Sequence, residues 1–299
     1  LMTIVLTVLL YIAGMDWFDA LNHSFSTVAT GGFSTKNNSI AAYPQASIQW
    51  ILIFFMFIAG INFSLHAQAL RGVVKVYLRD RECRFYTVLL ILGSAVIVAG
   101  LVEHGLFGMR SFPEFEAVTR AAVFQLVSVC TTTGFVSENF NLWPSITLVI
   151  ILMFMLMGGC AGSTGGGIKT TTFFVLMQEV RSIFSKRRLG AFRRRLPEES
   201  LTKAATITLL GTIVVFVGTF VLCVLEPQHS FVQLLFEQIS AYSTAGLTMG
   251  ITPSLHAASK VVLIATMFIG RVGAFTLLSL WVSRPEPSAK YTEEAITIG

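Results

Sequence analysis

Long apolar stretches alternate with short polar loops along the chain. Stretches long enough to cross the roughly 30 Å hydrocarbon layer of a bilayer lie near residues 47–65, 85–102, 145–157 continuing through 168–177, 204–225 and 261–282, with a partial one near 1–14. Three other apolar segments, near 17–28, 115–129 and 231–242, are too short to span and are predicted to be re-entrant pore helices. The pattern predicts an all-α integral membrane protein of repeated helix, pore loop, helix units at residues 1–75, 76–195 and 196–299.

Composition and charge agree with a membrane setting. Hydrophobic residues make up 54% of the 299 residues and charged residues 12%, with a mean hydropathy of +0.73, whereas soluble domains are roughly a quarter charged. The formal net charge of +5 comes mostly from two basic loops, near residues 71–84 and 181–195. The positive-inside rule places both loops in the cytoplasm. This explains the basic runs without a nucleic-acid partner, and we expect none.

A short phrase recurs just before three of the hydrophobic stretches, at residues 26–33, 128–135 and 240–247. When Gly32, Gly134 and Gly246 are aligned, serine recurs six residues earlier, threonine two residues earlier, and an apolar residue follows. The copies are 102 and 112 residues apart, which is the length of a whole structural unit. A single Thr-x-Gly phrase would be an ordinary turn. Three copies after three short apolar segments favour backbone that turns its carbonyls toward an ion, because non-helical backbone at membrane depth must be buried or line a water-filled path.

A glycine-rich stretch interrupts the hydrophobic run of the middle unit. Residues 158–170 contain six glycines together with Ser163 and Thr164. Glycine holds a helix poorly and lets backbone enter a narrow space, so a non-helical break is predicted here. The end of the stretch resembles a nucleotide-binding Walker A loop, but Ile168 stands where that motif needs glycine and no buried strand precedes it. Nucleotide binding is therefore not expected.

Two basic residues lie in or beside apolar surroundings. Arg271 stands inside the run 261–282, where a charge costs several kcal/mol unless it faces water or a partner. The alternative, an arginine that snorkels from a helix end, fits poorly with its central position. Lys169 is either the inner anchor of the glycine-rich loop or a snorkelling lysine, and the residues alone favour neither.

The repeated units, the Thr-x-Gly phrases and the glycine-rich stretch together resemble the Trk/Ktr/HKT superfamily of potassium transporters, in particular bacterial membrane subunits of the TrkH and KtrB type. The resemblance covers the whole chain. It implies helix, pore loop, helix units around a pseudo-fourfold ion pore in a bacterial plasma membrane. Members have four units, whereas this chain shows three, so we expect a sequence that lacks the first of four repeats.

The resemblance also implies which residues form the filter and the gate. It assigns the ion filter to Ala29, Thr30, Gly31, Gly32, Thr131, Thr132, Thr133, Gly134, Ser243, Thr244, Ala245 and Gly246. It assigns the gate beneath the filter to Gly158, Gly159, Gly162, Ser163, Thr164, Gly165, Gly166, Gly167, Lys169 and Arg271. A plain flexible hinge is the alternative for the glycine-rich loop.

The function implied is gated passage of potassium through filter carbonyls, with sodium as an alternative ion. The resemblance further implies a homodimer in membrane lipid, with a cytosolic ring of nucleotide-binding RCK (KTN) subunits that meets the loop 181–195 and the tail 284–299. No covalently bound cofactor is expected, and no catalytic set of side chains points to an enzyme. A coupled secondary transporter and a non-conducting fragment remain open. Acidic residues near the outer mouth are interpreted as helix N-terminal acids rather than cation attractors: Asp16, Asp19, Glu114, Glu116 and Glu226.

Overall fold

The protein is mainly helical in the part of the chain that the structure describes. The computed structural model describes residues 1–104, 112–185, 190–191, 194–195, 198–273 and 276. Its helices are α1 (Met2–Ile12), α2 (Trp17–Val28), α3 (Ala46–Ala59), α4 (Phe63–Leu70), α5 (Val76–Arg79), α6 (Arg81–Glu103), α7 (Phe112–Cys130), α8 (Ser145–Leu156), α9 (Thr170–Ser185), α10 (Glu198–Leu225), α11 (Phe231–Ser243) and α12 (Ala257–Val272). Three short 3-10 turns, Ser39–Ala42, Phe140–Leu142 and Thr252–Ser254, and a hairpin of two-residue strands, β1 (Gly190–Ala191) and β2 (Arg194–Arg195), complete the described elements.

The three predicted pore helices are present as α2, α7 and α11. They cover Trp17–Val28, Phe112–Cys130 and Phe231–Ser243, so the middle helix begins three residues before the predicted start. The Asp16 side chain accepts a hydrogen bond from the Phe18 amide at the start of α2, and Ser230 and Gln233 form a capping box at the start of α11. Each helix ends directly at a Thr-x-Gly phrase. Their C-terminal ends, which carry about half a negative charge each, therefore adjoin the phrases.

The predicted span at 47–65 is not one continuous helix. It breaks after α3, and α4 continues at an angle of 101° to it. The Asn62 side chain starts α4 by accepting a hydrogen bond from the Ser64 amide at 2.9 Å. At the break, a β-carbon on Gly60 would lie 2.7 Å from Cγ2 of Thr131 and closer still to the Tyr86 hydroxyl. Glycine is therefore required for this close approach, and the bend, rather than a straight helix, is the correction to the prediction.

Of the described helices, two are long and apolar enough to cross a membrane by themselves, Arg81–Glu103 and Glu199–Leu225, and the bent pair α3–α4 would make a third. Most of the end of the predicted span 261–282, residues 186–189 and 192–193 of the basic loop, and the tail 284–299 lie outside the described residues. The division into units at 1–75, 76–195 and 196–299 stays a prediction.

The core joins the units in chain order. Helix α3 of the first unit packs on α7 of the second, and α8 of the second packs on α11 of the third. Aromatic rings bridge the same boundaries: the His23 and Phe135 rings lie 5.8 Å apart, and the Phe140 and Phe236 rings stack at 5.5 Å. Because Phe135 and Phe236 are buried, this packing holds the three phrases side by side.

Candidate ion filter and gate loop

The three Thr-x-Gly phrases share one unusual backbone conformation. Thr30, Thr132 and Thr244 have φ angles of 52°, 55° and 54°, and the glycines two residues later have φ angles of 69°, 83° and 75°. A left-handed conformation is uncommon for any side chain and a genuine outlier for a β-branched one, with a cost of about 1–3 kcal/mol for each residue. Strain of this kind, repeated at three equivalent positions, indicates a functional constraint on the backbone rather than a chance turn.

Neighbouring phrases contact each other through backbone. A β-carbon on Gly32 would overlap the Thr133 carbonyl oxygen, and one on Gly134 would overlap the Ala245 carbonyl oxygen. Thr133 and Ala245 each occupy the middle position of Thr-x-Gly, so in both contacts the glycine of one phrase meets the middle carbonyl of the next phrase. The glycines are required because a carbonyl of the next phrase fills the space that any side chain would need.

The serine of the phrase ties the pore helix to the residue after the glycine. Ser128 Oγ donates to the Phe135 carbonyl at 2.7 Å, and Ser240 Oγ accepts from the Leu247 amide at 2.9 Å. Both serines are buried, so these bonds are shielded from water. They give a physical reason for the serine six residues before Gly134 and before Gly246, whereas Ser26 Oγ has no partner among the described residues.

The predicted break in the glycine-rich stretch is present between α8 and α9. Residues 157–169 form a non-helical loop between the two helices, and backbone hydrogen bonds join the two ends of this loop. The Gly158 amide donates to the Ile168 carbonyl at 2.8 Å, and the Ile168 amide donates to the Leu156 carbonyl at 3.1 Å. We call residues 157–169 the gate loop.

The tip of the gate loop lies against two of the Thr-x-Gly phrases. The Gly166 amide donates to Thr132 Oγ1 at 2.8 Å. A β-carbon on Gly165 would lie 2.9 Å from the Thr131 carbonyl oxygen, and one on Gly166 would lie 2.5 Å from the Ser243 carbonyl oxygen. Only backbone without side chains fits this close to the filter carbonyls, which gives a physical reason for the run of glycines.

Two cations bind carbonyls of the same loop. Arg271 Nη1 donates to the Thr164 carbonyl at 3.0 Å, and Lys169 Nζ donates to the Gly165 and Gly166 carbonyls. The structure thus brings Arg271 to the loop that ends at Lys169, although the two residues are 102 positions apart in the sequence. The contacts of Lys169 fit an inner anchor of the loop better than a snorkelling side chain.

The whole chain resembles known cation transporters. A family model described as TrkH, cation transport protein, matches residues 1–293. The chain belongs to the TrkH family. It is 31% identical over 293 residues to the Trk system potassium uptake protein TrkH of Escherichia coli K12, covering 94% of this chain and 59% of that protein. It is 30% identical over 290 residues to the Ktr system potassium uptake protein B of Bacillus subtilis, covering 94% and 64%.

A solved structure supports the same assignment. The crystal structure of the potassium transporter TrkH from Vibrio parahaemolyticus matches with a TM-score of 0.83 at 30% identity, covering 94% of this chain and 62% of that one. The predicted resemblance and the all-α membrane fold are therefore confirmed, and as a TrkH family member the chain is an integral protein of the bacterial plasma membrane. The chain spans less than two thirds of the length of each of these relatives.

One acidic residue that contacts the gate loop was not predicted from the sequence. Glu82, in the first turn of α6, accepts a hydrogen bond from the Ala161 amide of the gate loop at 2.7 Å and one from Thr170 Oγ1 at 3.4 Å. Its position beside Arg81 and Arg84 made it look like part of a cytoplasmic charged loop. Glu82 is one of two acids, with Asp80, within the basic run of residues 71–84, and this departure from the run is the signal that could have drawn attention to it.

The acids near the outer mouth are used in local structure. Asp19 accepts hydrogen bonds from Thr35 Oγ1 at 2.7 Å and Tyr43 Oη at 2.5 Å, and it pairs with Lys36 at 3.1 Å. The Thr35 and Tyr43 hydroxyls and the Lys36 ammonium lower the pKa of this carboxyl to about 2. Glu226 accepts from the His256 amide at the start of α12 at 2.6 Å. These partners agree with the interpretation as acids that serve helix ends and local networks.

Proposed function

We propose that this chain forms three adjacent walls of a gated potassium pathway, with the Thr-x-Gly phrases as the ion filter. The observation that carries the proposal is the repeated backbone conformation at Thr30, Thr132 and Thr244, followed each time by a glycine with positive φ. Carbonyl rings can replace the water of a potassium ion without a fixed charge that would trap it. The printed names of the relatives, potassium uptake proteins and a potassium transporter, support the choice of ion.

The filter ring has two free edges in the described residues. A β-carbon on Gly246 would meet no described heavy atom within 4 Å, although the equivalent Gly32 and Gly134 each face a neighbouring carbonyl. At the other edge, the Phe33 side chain is 80% exposed, whereas its equivalents Phe135 and Leu247 are 0% and 3% exposed. We infer that a fourth segment packs between Gly246 and Phe33 in the working protein and completes a pseudo-fourfold pore.

The gate loop is proposed to block this pathway from the inner side. Its tip contacts the carbonyl region of Thr131 and Ser243, so an ion that leaves the filter inward would meet the loop. Arg271 adds a positive charge at the same place. Opening then requires that the loop move away from the filter, which a flexible hinge without occlusion would not require.

The partners of the working protein follow from family membership as proposals. A homodimer in membrane lipid, controlled by a cytosolic ring of RCK subunits that bind nucleotide, accounts for a gate near the cytoplasmic side. Neither a nucleic acid nor a covalently bound cofactor is proposed. The relatives are transport proteins, and we propose no enzymatic reaction for this chain.

A second candidate ion is sodium. The chain is 32% identical over 295 residues to the potassium/sodium uptake protein NtpJ of Enterococcus hirae, covering 95% of this chain and 64% of that protein. Each phrase also has a single filter glycine with positive φ, so fewer tight sites for potassium are expected than in a filter with doubled glycines.

Flux into proteoliposomes tests the proposal. The full-length transporter that carries this sequence should take up rubidium and potassium down their gradients, and its reversal potential should follow the potassium gradient. A reversal potential that depends equally on sodium would favour the second ion, and one that depends on a second coupled ion would favour a coupled carrier. Protein that is folded, membrane-inserted and impermeable to all of these cations, with and without its cytosolic subunit, would refute the proposed function.

A further inference from the structure

One oxygen atom of Glu82 contacts both the first half of the gate loop and the start of α9. Oε1 accepts from the Ala161 amide at 2.7 Å and from Thr170 Oγ1 at 3.4 Å. Ala161 lies near the start of the loop and Thr170 is the first residue of α9. A short bond from a backbone N–H to a carboxylate is stronger than a neutral one, and a negative charge in the first turn of α9 is favourable. The carboxylate therefore fixes the first half of the loop relative to the start of α9.

The element that carries Glu82 also grips the loop from a second side. We call residues 60–82 the corner, which includes the break after α3, the helices α4 and α5, and the start of α6. The Cys160 amide donates to the Gly60 carbonyl at 2.9 Å, and the Phe63 amide donates to the Gly162 carbonyl at 3.0 Å. The first half of the gate loop is thus held between the two ends of the corner.

Polar contacts link the parts of the corner to one another. His66 of α4 bonds to the Tyr77 hydroxyl of α5 at 2.8 Å and to the Ile58 carbonyl of α3 at 3.1 Å. The Asp80 side chain accepts from the Cys83 amide at 2.7 Å and caps the helix that carries Glu82. Because these hydrogen bonds link the parts of the corner, a displacement of α4 or α5 would also displace Glu82.

We propose that Glu82 is a positioning residue of the gate, whose carboxylate holds the gate loop beneath the filter and joins it to the cytoplasmic corner of residues 60–82. The inference rests on the proposed function, since it assigns a part to the gate of that pathway. Glu82 does not contact the ion. Arg271 binds the Thr164 carbonyl of the same loop, so an acid at residue 82 and a base at residue 271 both hold the loop.

The test uses the full-length transporter without its cytosolic subunit and two readouts. Glu82→Ala should raise basal rubidium flux by about fivefold, the effect of roughly 1 kcal/mol on a barrier. Glu82→Gln keeps an acceptor oxygen and should restore most of the block, and Thr170→Val removes one of the two bonds and should give a smaller rise. Glu103→Ala removes an exposed carboxylate at the other end of the same helix and should leave the flux unchanged.

The second readout is the native thiol of the gate loop. Cys160 is 1% exposed, so it should resist a thiol reagent in the wild type and react in Glu82→Ala, as measured by mass spectrometry of its peptide. If the wild type conducts but Glu82→Ala and Thr170→Val both keep wild-type flux and a protected Cys160, the inference is wrong. If the wild type conducts no cation either with or without its cytosolic subunit, the proposed function fails, while the reactivity of Cys160 still tests the anchor. If Glu82→Ala does not fold, Thr170→Val and Glu82→Gln test the inference instead. Thr170→Val should still raise the basal flux and Glu82→Gln should change it less, and wild-type flux with a protected Cys160 in Thr170→Val would contradict the inference.

Discussion

The filter and the gate loop lie in contact but are held in different ways. The filter is built three times from the same backbone angles, and its segments contact each other through glycine and carbonyl, as at Gly134 and Ala245. The gate loop occurs once in the described residues, and side chains from other elements add to its backbone bonds with Gly60 and Phe63: Glu82, Arg271 and Thr132. One filter segment cannot move without breaking its backbone contacts with the next segment. The gate loop, in contrast, can move when a few side-chain bonds break. The difference suggests a rigid selector beside a movable block.

The largest effect is expected where backbone meets backbone in the filter. Gly134→Ala would force a methyl group into the Ala245 carbonyl and strain a φ of 83°. We expect potassium uptake to fall by more than about tenfold, equivalent to roughly 1.4 kcal/mol, with loss of selectivity over sodium, as measured by uptake and reversal potential. Gly250→Ala is the matched control, because Gly250 has a φ of 90° but nothing within 4 Å of the added atom. Equal effects of the two variants would show that φ strain alone, not the filter contact, matters.

The next effect is expected at the tip of the gate loop. Gly166→Ala would place a methyl group against the Ser243 carbonyl and the Thr244 hydroxyl and push the loop away from the filter. Basal rubidium flux without the cytosolic subunit should rise by about five- to tenfold, or roughly 1 kcal/mol or more in barrier. Ser163→Ala, which removes a buried hydroxyl that has no partner among the described residues, should leave the flux unchanged. A fall in flux for Gly166→Ala would mean that the loop does not block the path.

A smaller effect is expected from one of the side chains that hold the loop. Arg271→Ala removes the bond to the Thr164 carbonyl and a positive charge near the ion path, so basal flux should rise by about threefold to fivefold, or up to roughly 1 kcal/mol in barrier. Arg271→Lys keeps the charge and tests the bond separately. Wild-type flux in both variants, at wild-type abundance, would remove Arg271 from the gate.

The smallest effect concerns the serines that support the filter. Ser128→Ala removes the bond from a buried hydroxyl to the Phe135 carbonyl and should lower stability by about 1 kcal/mol, seen as a lower melting temperature with near-normal flux. Ser26→Ala is the matched comparison, since Ser26 Oγ has no partner among the described residues and should change little. A larger loss of stability for Ser26→Ala than for Ser128→Ala would contradict the supporting role given to Ser128.

Much of the fold could be predicted because the signals are local and repeated. The short apolar segments identified α2, α7 and α11 within a few residues, and the glycines of residues 158–167 identified the break before α9. The bend at Gly60 was missed. A single glycine is ordinary in an apolar helix, and the packing of Tyr86 and Thr131 against it leaves no mark in the surrounding sequence.

The sequence by itself determined the membrane setting, the repeated Thr-x-Gly phrase and the position of the non-helical break, since hydrophobic length and glycine content act on neighbouring residues. Only the tertiary structure decided which groups meet. It placed the Ala245 carbonyl against Gly134, and it brought Glu82 and Arg271, separated by 189 positions, to one loop. Such contacts join residues far apart in the chain, and they depend on how helices from different units pack. The packing is set by the whole surface that each helix buries, and no short pattern of residues encodes it.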